Sequence, residues 1–141
     1  MAREAMKNQA LLTEPELRAR LGEFYAALDQ FNRRWYFESH ETLEDLWMVT
    51  PLPERDFFQG IIQLAAAFVH YARREYPGII KLLDISLEKL REFARERFGV
   101  DVARLVADVE QARAEIVALG EGRLGEWSEE RVPRIEYREE A

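Results

Sequence analysis

The spacing of apolar side chains along the chain predicts a series of helices separated by short polar turns. The first predicted helix begins at Thr13, and leucine and phenylalanine then recur every three or four residues up to about Arg33. Thr13 and Glu16 have the spacing of a capping box, which marks a helix start. The second predicted helix covers about residues 37–48, and it ends before two prolines because proline disfavours a helical conformation in the residue that precedes it.

The remaining helices follow from the same periodicity. The third predicted helix, about residues 54–74, is apolar on almost its whole circumference, so we expect it at the centre of the fold. A break at Pro77 precedes a fourth helix over about residues 78–97, and Asp101 caps a fifth that runs to Gly120. Short connections favour antiparallel neighbours. The predicted fold is therefore an all-α, bundle-like array of about five helices around the third one.

Length and composition indicate one globular domain. The 141 residues are 48% hydrophobic and 33% charged, a balance that is typical of folded chains. We expect a single helical domain over residues 1–141, with a flexible N-terminus at 1–13 and an extended C-terminal tail at 121–141. Trp35 and Trp127 have no obvious core position, and aromatic residues are enriched at interfaces, so a homodimer is one hypothesis for the assembly.

Charge and residue usage argue against several functional classes. The formal net charge of -7 disfavours binding to nucleic acid, because phosphate backbones are bound mainly by basic surfaces. The chain has no cysteine, which excludes disulfides and zinc–thiolate sites. No stretch is long and apolar enough for a membrane span, and residues 1–13 lack the apolar core of a signal peptide. Membrane attachment is therefore not expected, and the expected location is the cytoplasm.

The most informative feature is a set of polar residues at positions where helices should bury apolar side chains. In the second predicted helix, His40 and Glu44 fall in the middle of the apolar stripe at about 100° per residue. That stripe consists of Tyr36, Phe37, Leu43, Trp47 and Met48. In the third, Gln59, Gln63 and His70 share one narrow face of an otherwise apolar segment. Because an unpaired polar group is costly to bury, these positions predict an internal polar cluster between the two helices.

The expected packing of the two helices defines which residues of the cluster meet. An antiparallel hairpin places Glu44 beside Gln59 and His40 beside Gln63, while His70 lies about 10 Å further along. Trp47, together with other aromatic side chains of the second helix, would supply apolar walls.

A glycine within the same hairpin has a predicted packing role. Gly60 lies inside the third predicted helix, where glycine costs about 1 kcal/mol relative to alanine. A close approach to its backbone would explain the residue, and we expect Trp47 or Leu43 to make that approach.

Three interpretations of the cluster are compatible with the sequence. In the first, His40 and Glu44 bond directly and the glutamine amides complete a structural network that fixes helix register. In the second, His40 and Glu44 are two ligands of a divalent metal, although a third ligand is not evident. In the third, the cluster binds a small molecule or performs acid–base catalysis, with the carboxylate orienting the imidazole. No nucleophile or phosphate-binding loop accompanies it, so the sequence names no reaction.

Arginine residues define a second candidate site, where the first and third predicted helices end. Arg33, Arg73 and Arg74 are expected to gather there beside His70, and an anion site is one hypothesis for them. The alternative is that these residues complement the negative ends of helix dipoles.

The segments that carry these residues form longer boxes that resemble a known family. The boxes comprise Phe31-Asn32, Tyr36-Phe37-Glu38-Ser39-His40-Glu41, Glu44-Asp45-Leu46-Trp47, Phe58-Gln59-Gly60-Ile61-Ile62-Gln63, Ala65-Ala66-Ala67, His70 and Pro77-Gly78. They resemble a bacterial and archaeal group, domain-of-unknown-function family 309, over about residues 31–90. The resemblance implies a small all-helical cytosolic protein with the box around His40 at its centre, and it implies no activity. The chain departs from the family at Arg33-Arg34-Trp35, where a glycine is common.

Overall fold

Packed helices make up most of the fold. A computed structural model describes residues 10–93 and 95–140. Its helices and strands are α1 (Glu14–Ala19), α2 (Leu21–Asn32), α3 (Tyr36–Trp47), α4 (Glu54–Ala72), α5 (Tyr76–Leu90), β1 (Glu96–Arg97), β2 (Val100–Asp101) and α6 (Val102–Leu119). Short 3-10 helices lie at Arg91–Phe93, Glu121–Glu126 and Glu129–Arg131. The predicted all-α class is confirmed.

The central element is α4, which packs against both α3 and α5. Its inward side chains are fully buried, and they include Phe57, Phe58, Ile61, Leu64 and Phe68. Burial of one such side chain stabilises the fold by about 1.5–3 kcal/mol. The nearly continuous apolar circumference of this segment therefore corresponds to a helix that has neighbours on most sides.

The helical pairs α2–α3 and α4–α5 are joined by the same backbone turn. In each turn the second of two arginines has a positive φ angle, 69° at Arg34 and 59° at Arg74. The next N–H, that of Trp35 or Glu75, then donates to the carbonyl oxygen five residues earlier, at 2.9 Å in both turns. Arg34 and Arg74 lie 40 positions apart. Apolar periodicity does not predict this repeat, because the two turns share backbone geometry while most of their side chains differ.

The first predicted helix is divided in two at Arg20. Its start is as predicted, since the Thr13 hydroxyl accepts the Glu16 N–H at 3.3 Å and the Glu16 carboxylate accepts the Thr13 N–H at 2.8 Å. Arg20 leaves the helical conformation with φ −106° and ψ 8°, and its N–H donates to the Leu17 carbonyl at 2.9 Å in a tighter turn. The apolar residues keep helical spacing across this break, so their pattern does not reveal it.

The predicted fourth helix is wrong beyond Leu90. After a 3-10 turn the chain forms the antiparallel hairpin of β1 and β2 instead. Its loop residues, Phe98 and Gly99, have φ angles of 51° and 85°, the positive pair that a tight two-residue hairpin loop requires. The Phe98 side chain is buried in the core. Phe93 continues the helical spacing and is also buried, but it lies in the 3-10 turn, so its position extended the predicted helix too far.

The α6 helix begins and ends where the sequence predicts. The Asp101 carboxylate accepts the Arg104 N–H at 3.0 Å, and Gly120, with φ 77°, follows the last helical residue.

Residues 121–140 then run across the helices. The Trp127 ring is only 4% exposed and stacks on Phe68 with ring centres 6.2 Å apart. The expectation that Trp127 lacks a core position is therefore wrong, because this segment carries it onto α4.

Part of the predicted flexible N-terminus is described by the structure. Residues 1–9 lie outside the described residues, whereas the Leu12 N–H donates to the Val49 carbonyl at 2.8 Å. Among the described residues, every helix is too short or too polar to cross a bilayer.

Candidate functional site

The six residues of the predicted cluster lie on α3 and α4, at the surface of the fold. All six are half-buried: His40, Glu44 and Trp47 on α3, and Gln59, Gln63 and His70 on α4. We call this set the outer face. The prediction that these residues form an internal cluster is therefore wrong, although it placed them on two neighbouring helices correctly.

The error on α3 comes from where its apolar stripe is centred. The residues that face the core are Tyr36, Ser39, Leu43 and Leu46, which are all buried. Phe37, which the apolar pattern assigned to the stripe, is 51% exposed. Removing Phe37 from the stripe rotates its centre away from His40 and Glu44, which then lie on the rim.

On α4 the polar row is a narrow strip between buried flanks. Gln59, Gln63 and His70 are spaced four and seven residues apart, which keeps them in line along the helix. Gly60 and Ile62, which flank the strip on either side, are buried. The strip is thus the part of α4 that its neighbours leave accessible.

His40 and Glu44 approach each other without forming a close hydrogen bond. Nε2 of His40 and Oε2 of Glu44 are 3.7 Å apart, and the side chains are 30% and 20% exposed. This separation allows an ion pair but is too long for a hydrogen bond. The side-chain amides of Gln59 and Gln63 form no hydrogen bond with another described residue. The closed network of the structural interpretation is therefore not formed by these four side chains alone.

Trp47 lies at one end of the outer face, beneath a cation. The Arg55 guanidinium lies 4.3 Å from the centre of a Trp47 ring, within the range of a cation–π contact. Nε1 of Trp47 is buried and has no hydrogen-bond partner among the described residues. Leaving such a donor unpaired costs about 1–3 kcal/mol. The indole N–H is therefore a donor that no described residue uses.

His70 lies at the other end, and the turn between α4 and α5 holds it. Its Nδ1 is 2.9 Å from Oε1 of Glu75, and its side chain is 35% exposed. The ring packs on Gly78, where an added Cβ would lie 2.5 Å from Nδ1. Sequence reasoning missed the role of Glu75, because a five-residue separation across a turn has no periodic signature.

The divalent-metal hypothesis lacks a third protein ligand. Across residues 10–93 and 95–140, no group of three or more histidine, aspartate or glutamate side chains is arranged to hold a metal ion. His40 and Glu44 provide two ligands, and Nδ1 of His70 is engaged by Glu75.

The arginines expected to form an anion site have separate contacts. Arg33 pairs with Asp29 at 2.9 Å, and the Arg74 guanidinium lies 4.8 Å from the ring centre of Tyr71. Arg73 instead lines a cleft of about 250 Å³ beside the first turn of α3. The three residues therefore have different contacts, and the anion site stays a prediction.

A buried hydroxyl without a partner lies next to this cleft. Tyr36 is 5% exposed, and its hydroxyl has no hydrogen-bond partner among the described residues. Burial raises the pKa of the Tyr36 phenol far above its ordinary value, and the Glu129 carboxylate acts in the same direction. The ring packs edge-on against Phe31, with centres 5.3 Å apart. Tyr36 is thus a core residue whose hydroxyl is not bonded by any described residue.

Two larger clefts lie away from the outer face, where α1 meets the hairpin and the C-terminal segment. They have volumes of about 560 and 850 Å³, and both are lined by Arg18, Glu96 and Glu140. Arg18 and Glu140 are ion-paired at 2.8 Å. None of the residues that line these clefts belongs to the boxes from which the family resemblance was drawn.

Comparison with known proteins identifies the region that contains the outer face. The uncharacterized protein YpuF of Bacillus subtilis (strain 168) is 37% identical over 89 residues, which are 61% of this chain and 48% of YpuF. The chain thus spans about half the length of this curated relative. No solved structure matches it. Residues 24–82 match the family described as domain of unknown function (DUF309). The resemblance drawn from the boxes is therefore confirmed, and residues 24–82, which include all six residues of the outer face, are the part of the chain that matches domain-of-unknown-function family 309.

Proposed function

We propose that the protein binds a small polar molecule on the outer face. The observation that supports this proposal is the pair of half-buried amides of Gln59 and Gln63, which form no hydrogen bond with another described residue. Polar groups that serve only architecture are normally enclosed and paired, because an unpaired buried group is costly. Partial burial with unused donors and acceptors is the arrangement that a ligand can complete.

The chemistry of the outer face indicates a ligand rich in hydrogen-bonding groups. The amides of Gln59 and Gln63 each supply donors and an acceptor, and they lie about 6 Å apart along the helix. A molecule with at least two polar groups at a similar spacing, such as an amide or a polyol, fits these side chains better than a purely apolar one.

The experiment is a thermal-shift screen of polar metabolites against matched variants. A compound present at 100 times its Kd stabilises the native state by about 2.7 kcal/mol, which for a chain of this size raises Tm by about 5–10 °C. We expect the Gln59→Leu/Gln63→Leu variant to lose this shift while its own Tm stays near or above that of the wild type. Glu41→Gln, an exposed change on α3, should retain the shift.

The rival function is purely structural, and the same variants separate the two. If the glutamines fix the packing of α3 on α4, the double variant unfolds at a lower temperature and no compound shifts the wild type. That combination would overturn the binding proposal and leave the cluster as an architectural feature.

Self-association is a second candidate function, favoured by a separate observation. Trp35 and Phe37, at the start of α3, are each 51% exposed. Large exposed aromatic side chains are enriched at protein interfaces. We expect a homodimer, if formed, to bury these two residues, so that Trp35→Ser/Phe37→Ser shifts sedimentation to the monomer. A monomeric wild type at high concentration would exclude this assembly.

A further inference from the structure

Glu75 makes two contacts with His70, one to its imidazole and one to its main chain. The Glu75 carboxylate lies 2.9 Å from Nδ1, and the Glu75 backbone N–H donates to the His70 carbonyl, also at 2.9 Å. The side chain and the main chain of Glu75 therefore both hold His70, which limits the orientations that its ring can adopt.

The hydrogen-bond partner of Nδ1 determines whether the other ring nitrogen, Nε2, carries a proton in the neutral imidazole. An ionised carboxylate can only accept a hydrogen bond, so Nδ1 must carry the proton of this contact. In the neutral imidazole, Nε2 then has the free lone pair. Nε2 has no hydrogen-bond partner among the described residues, and the His70 side chain is 35% exposed. The acceptor is thus left for water or for a ligand.

The other turn of the fold shows that this pair is not needed to build the backbone. The α2–α3 turn has the same hydrogen bonds and the same positive φ, yet it carries Gln30 and Trp35 where the α4–α5 turn has His70 and Glu75. The turn therefore forms without a histidine–carboxylate contact, and a role in turn formation does not account for the pair.

Gly78 is the third component of this arrangement. A Cβ at this position would lie 2.5 to 2.9 Å from three atoms of the His70 ring, closer than packed atoms allow. The equivalent position of the first turn is Glu38, which is exposed. The space that the imidazole occupies is therefore specific to the second turn.

We infer that His70 accepts a hydrogen bond from the ligand through Nε2, and that Glu75 is the positioning residue that sets its tautomer. This inference rests on the proposed function for the presence of a ligand but not for the state of the imidazole. The ligand group opposite Nε2 must be a donor, such as a hydroxyl or an amide N–H. A phosphate anion does not fit, because the nearby Glu75 carboxylate would repel it.

The tautomer is measured first, by long-range ¹H–¹⁵N NMR correlation of the two histidines of the uniformly labelled chain. We expect the Nδ1–H form for His70. It should persist in Glu75→Gln, which keeps an acceptor oxygen, and be lost in Glu75→Ala. His40 is the internal control, and its signals should not change in either variant. An Nε2–H tautomer in the wild type would overturn the inference whether or not the screen finds a ligand.

The acceptor role is tested with acetamide as a neutral donor and with inorganic phosphate as the anion. We expect a saturable shift of the His70 Nε2 resonance with acetamide, no such shift with phosphate, and loss of the acetamide response in Glu75→Ala. An Nδ1–H tautomer without a saturable acetamide response would also overturn the inference. Failure of the metabolite screen alone, with both NMR results as expected, would instead count against the proposed range of ligands.

Discussion

The side-chain amide of Asn32 binds both backbone groups of Ile135. Nδ2 donates to the Ile135 carbonyl at 2.9 Å, and Oδ1 accepts the Ile135 N–H at 2.8 Å. The amide thus acts as one rung of a β-ladder, and it ties the C-terminal segment to the end of α2. Ile135 is only 1% exposed, so the clamp also keeps an apolar side chain in the core.

Replacing Asn32 should destabilise the protein. Asn32→Asp removes the donor and places a carboxylate oxygen opposite the Ile135 carbonyl, while Asn32→Ala removes both contacts. We expect the free energy of unfolding to fall by about 1–3 kcal/mol in each variant, because backbone groups at a partly buried position lose their partner. Urea denaturation measures the change. Glu136→Gln, an exposed change next to the clamp, should alter stability by less than about 0.5 kcal/mol. If the Asn32 variants and Glu136→Gln lost the same free energy of unfolding, the role of the Asn32 amide would be contradicted.

Gly60 and Gly22 make a matched pair for testing close helix packing. A Cβ at Gly60 would lie 2.8 Å from Cδ2 of Leu90, whereas a Cβ at Gly22 would meet nothing within 4 Å. We expect Gly60→Ala to destabilise the protein by about 1–3 kcal/mol through overpacking of α4 on α5. Gly22→Ala should stabilise it by about 0.5–1 kcal/mol, because alanine is the better helix former. Chemical denaturation measures the free energy of unfolding of both variants. If both substitutions stabilised the protein, α5 would be able to move away from Gly60.

The close neighbour of Gly60 also shows what the sequence could not specify. The helical position and the need for a small residue were predicted, but the approaching residues come from α5 rather than from Trp47 or Leu43 of α3. Ser86 of α5 additionally donates to the Gly60 carbonyl at 2.8 Å. Both sides of α4 have apolar neighbours, so residue spacing alone could not determine which helix lies closer at this point.

The sequence predicted only part of the candidate site, and the reason is similar. Helical spacing placed His40, Glu44, Gln59 and Gln63 on facing helices, but it could not give their depth. Depth depends on which elements cover these residues, and the C-terminal segment covers other parts of α2 and α4 instead, where Tyr71 donates to the Trp127 carbonyl at 3.1 Å. That is long-range information, which no local pattern contains.

The positive φ angles of Arg34 and Arg74 predict a gain from glycine. A side chain with a Cβ is strained by about 1–2 kcal/mol in the left-handed region, and glycine is not. We expect Arg74→Gly to be about 1 kcal/mol more stable than Arg74→Ala, because both lack the guanidinium and only alanine keeps the Cβ. Thermal unfolding measures the difference, and the same comparison applies at position 34. Equal stabilities of the glycine and alanine variants would show that neither turn is strained.

The unpartnered hydroxyl of Tyr36 predicts an unusual response to mutation. Tyr36→Phe removes a buried polar group that has no partner among the described residues and keeps the ring contacts. We expect the free energy of unfolding to stay the same or rise by up to about 1 kcal/mol. Tyr71→Phe is the control, because its hydroxyl donates to the Trp127 carbonyl, and it should be destabilised. A loss of stability in Tyr36→Phe similar to that in Tyr71→Phe would indicate that the Tyr36 hydroxyl is bonded in solution.

Glu115 anchors the C-terminal segment and makes its attachment sensitive to acid. The carboxylate forms a two-pronged ion pair with Arg131 and also accepts the Trp127 indole N–H at 3.0 Å. The hydrogen bonds from Arg131 lower the pKa of Glu115 most, followed by the one from Gln111, and together they bring it to about 2 from an ordinary value of 4.5. Because the folded-state pKa lies below the unfolded one, the stabilisation is fully present above about pH 4.5 and declines as the pH falls towards 2.

We therefore expect Glu115→Gln to lower the free energy of unfolding by about 1–2 kcal/mol at pH 7, and the difference from wild type to shrink between pH 4.5 and pH 2. The magnitude is modest because Arg131 is 57% exposed, so water screens the pair. Urea denaturation at pH 7, 4 and 3 measures it. Glu110→Gln, which disrupts the exposed pair with Arg91, should change stability by less than about 0.5 kcal/mol at each pH. A Glu115→Gln difference that stays constant or grows on acidification would show that the carboxylate is not held in its ionised form by the C-terminal segment.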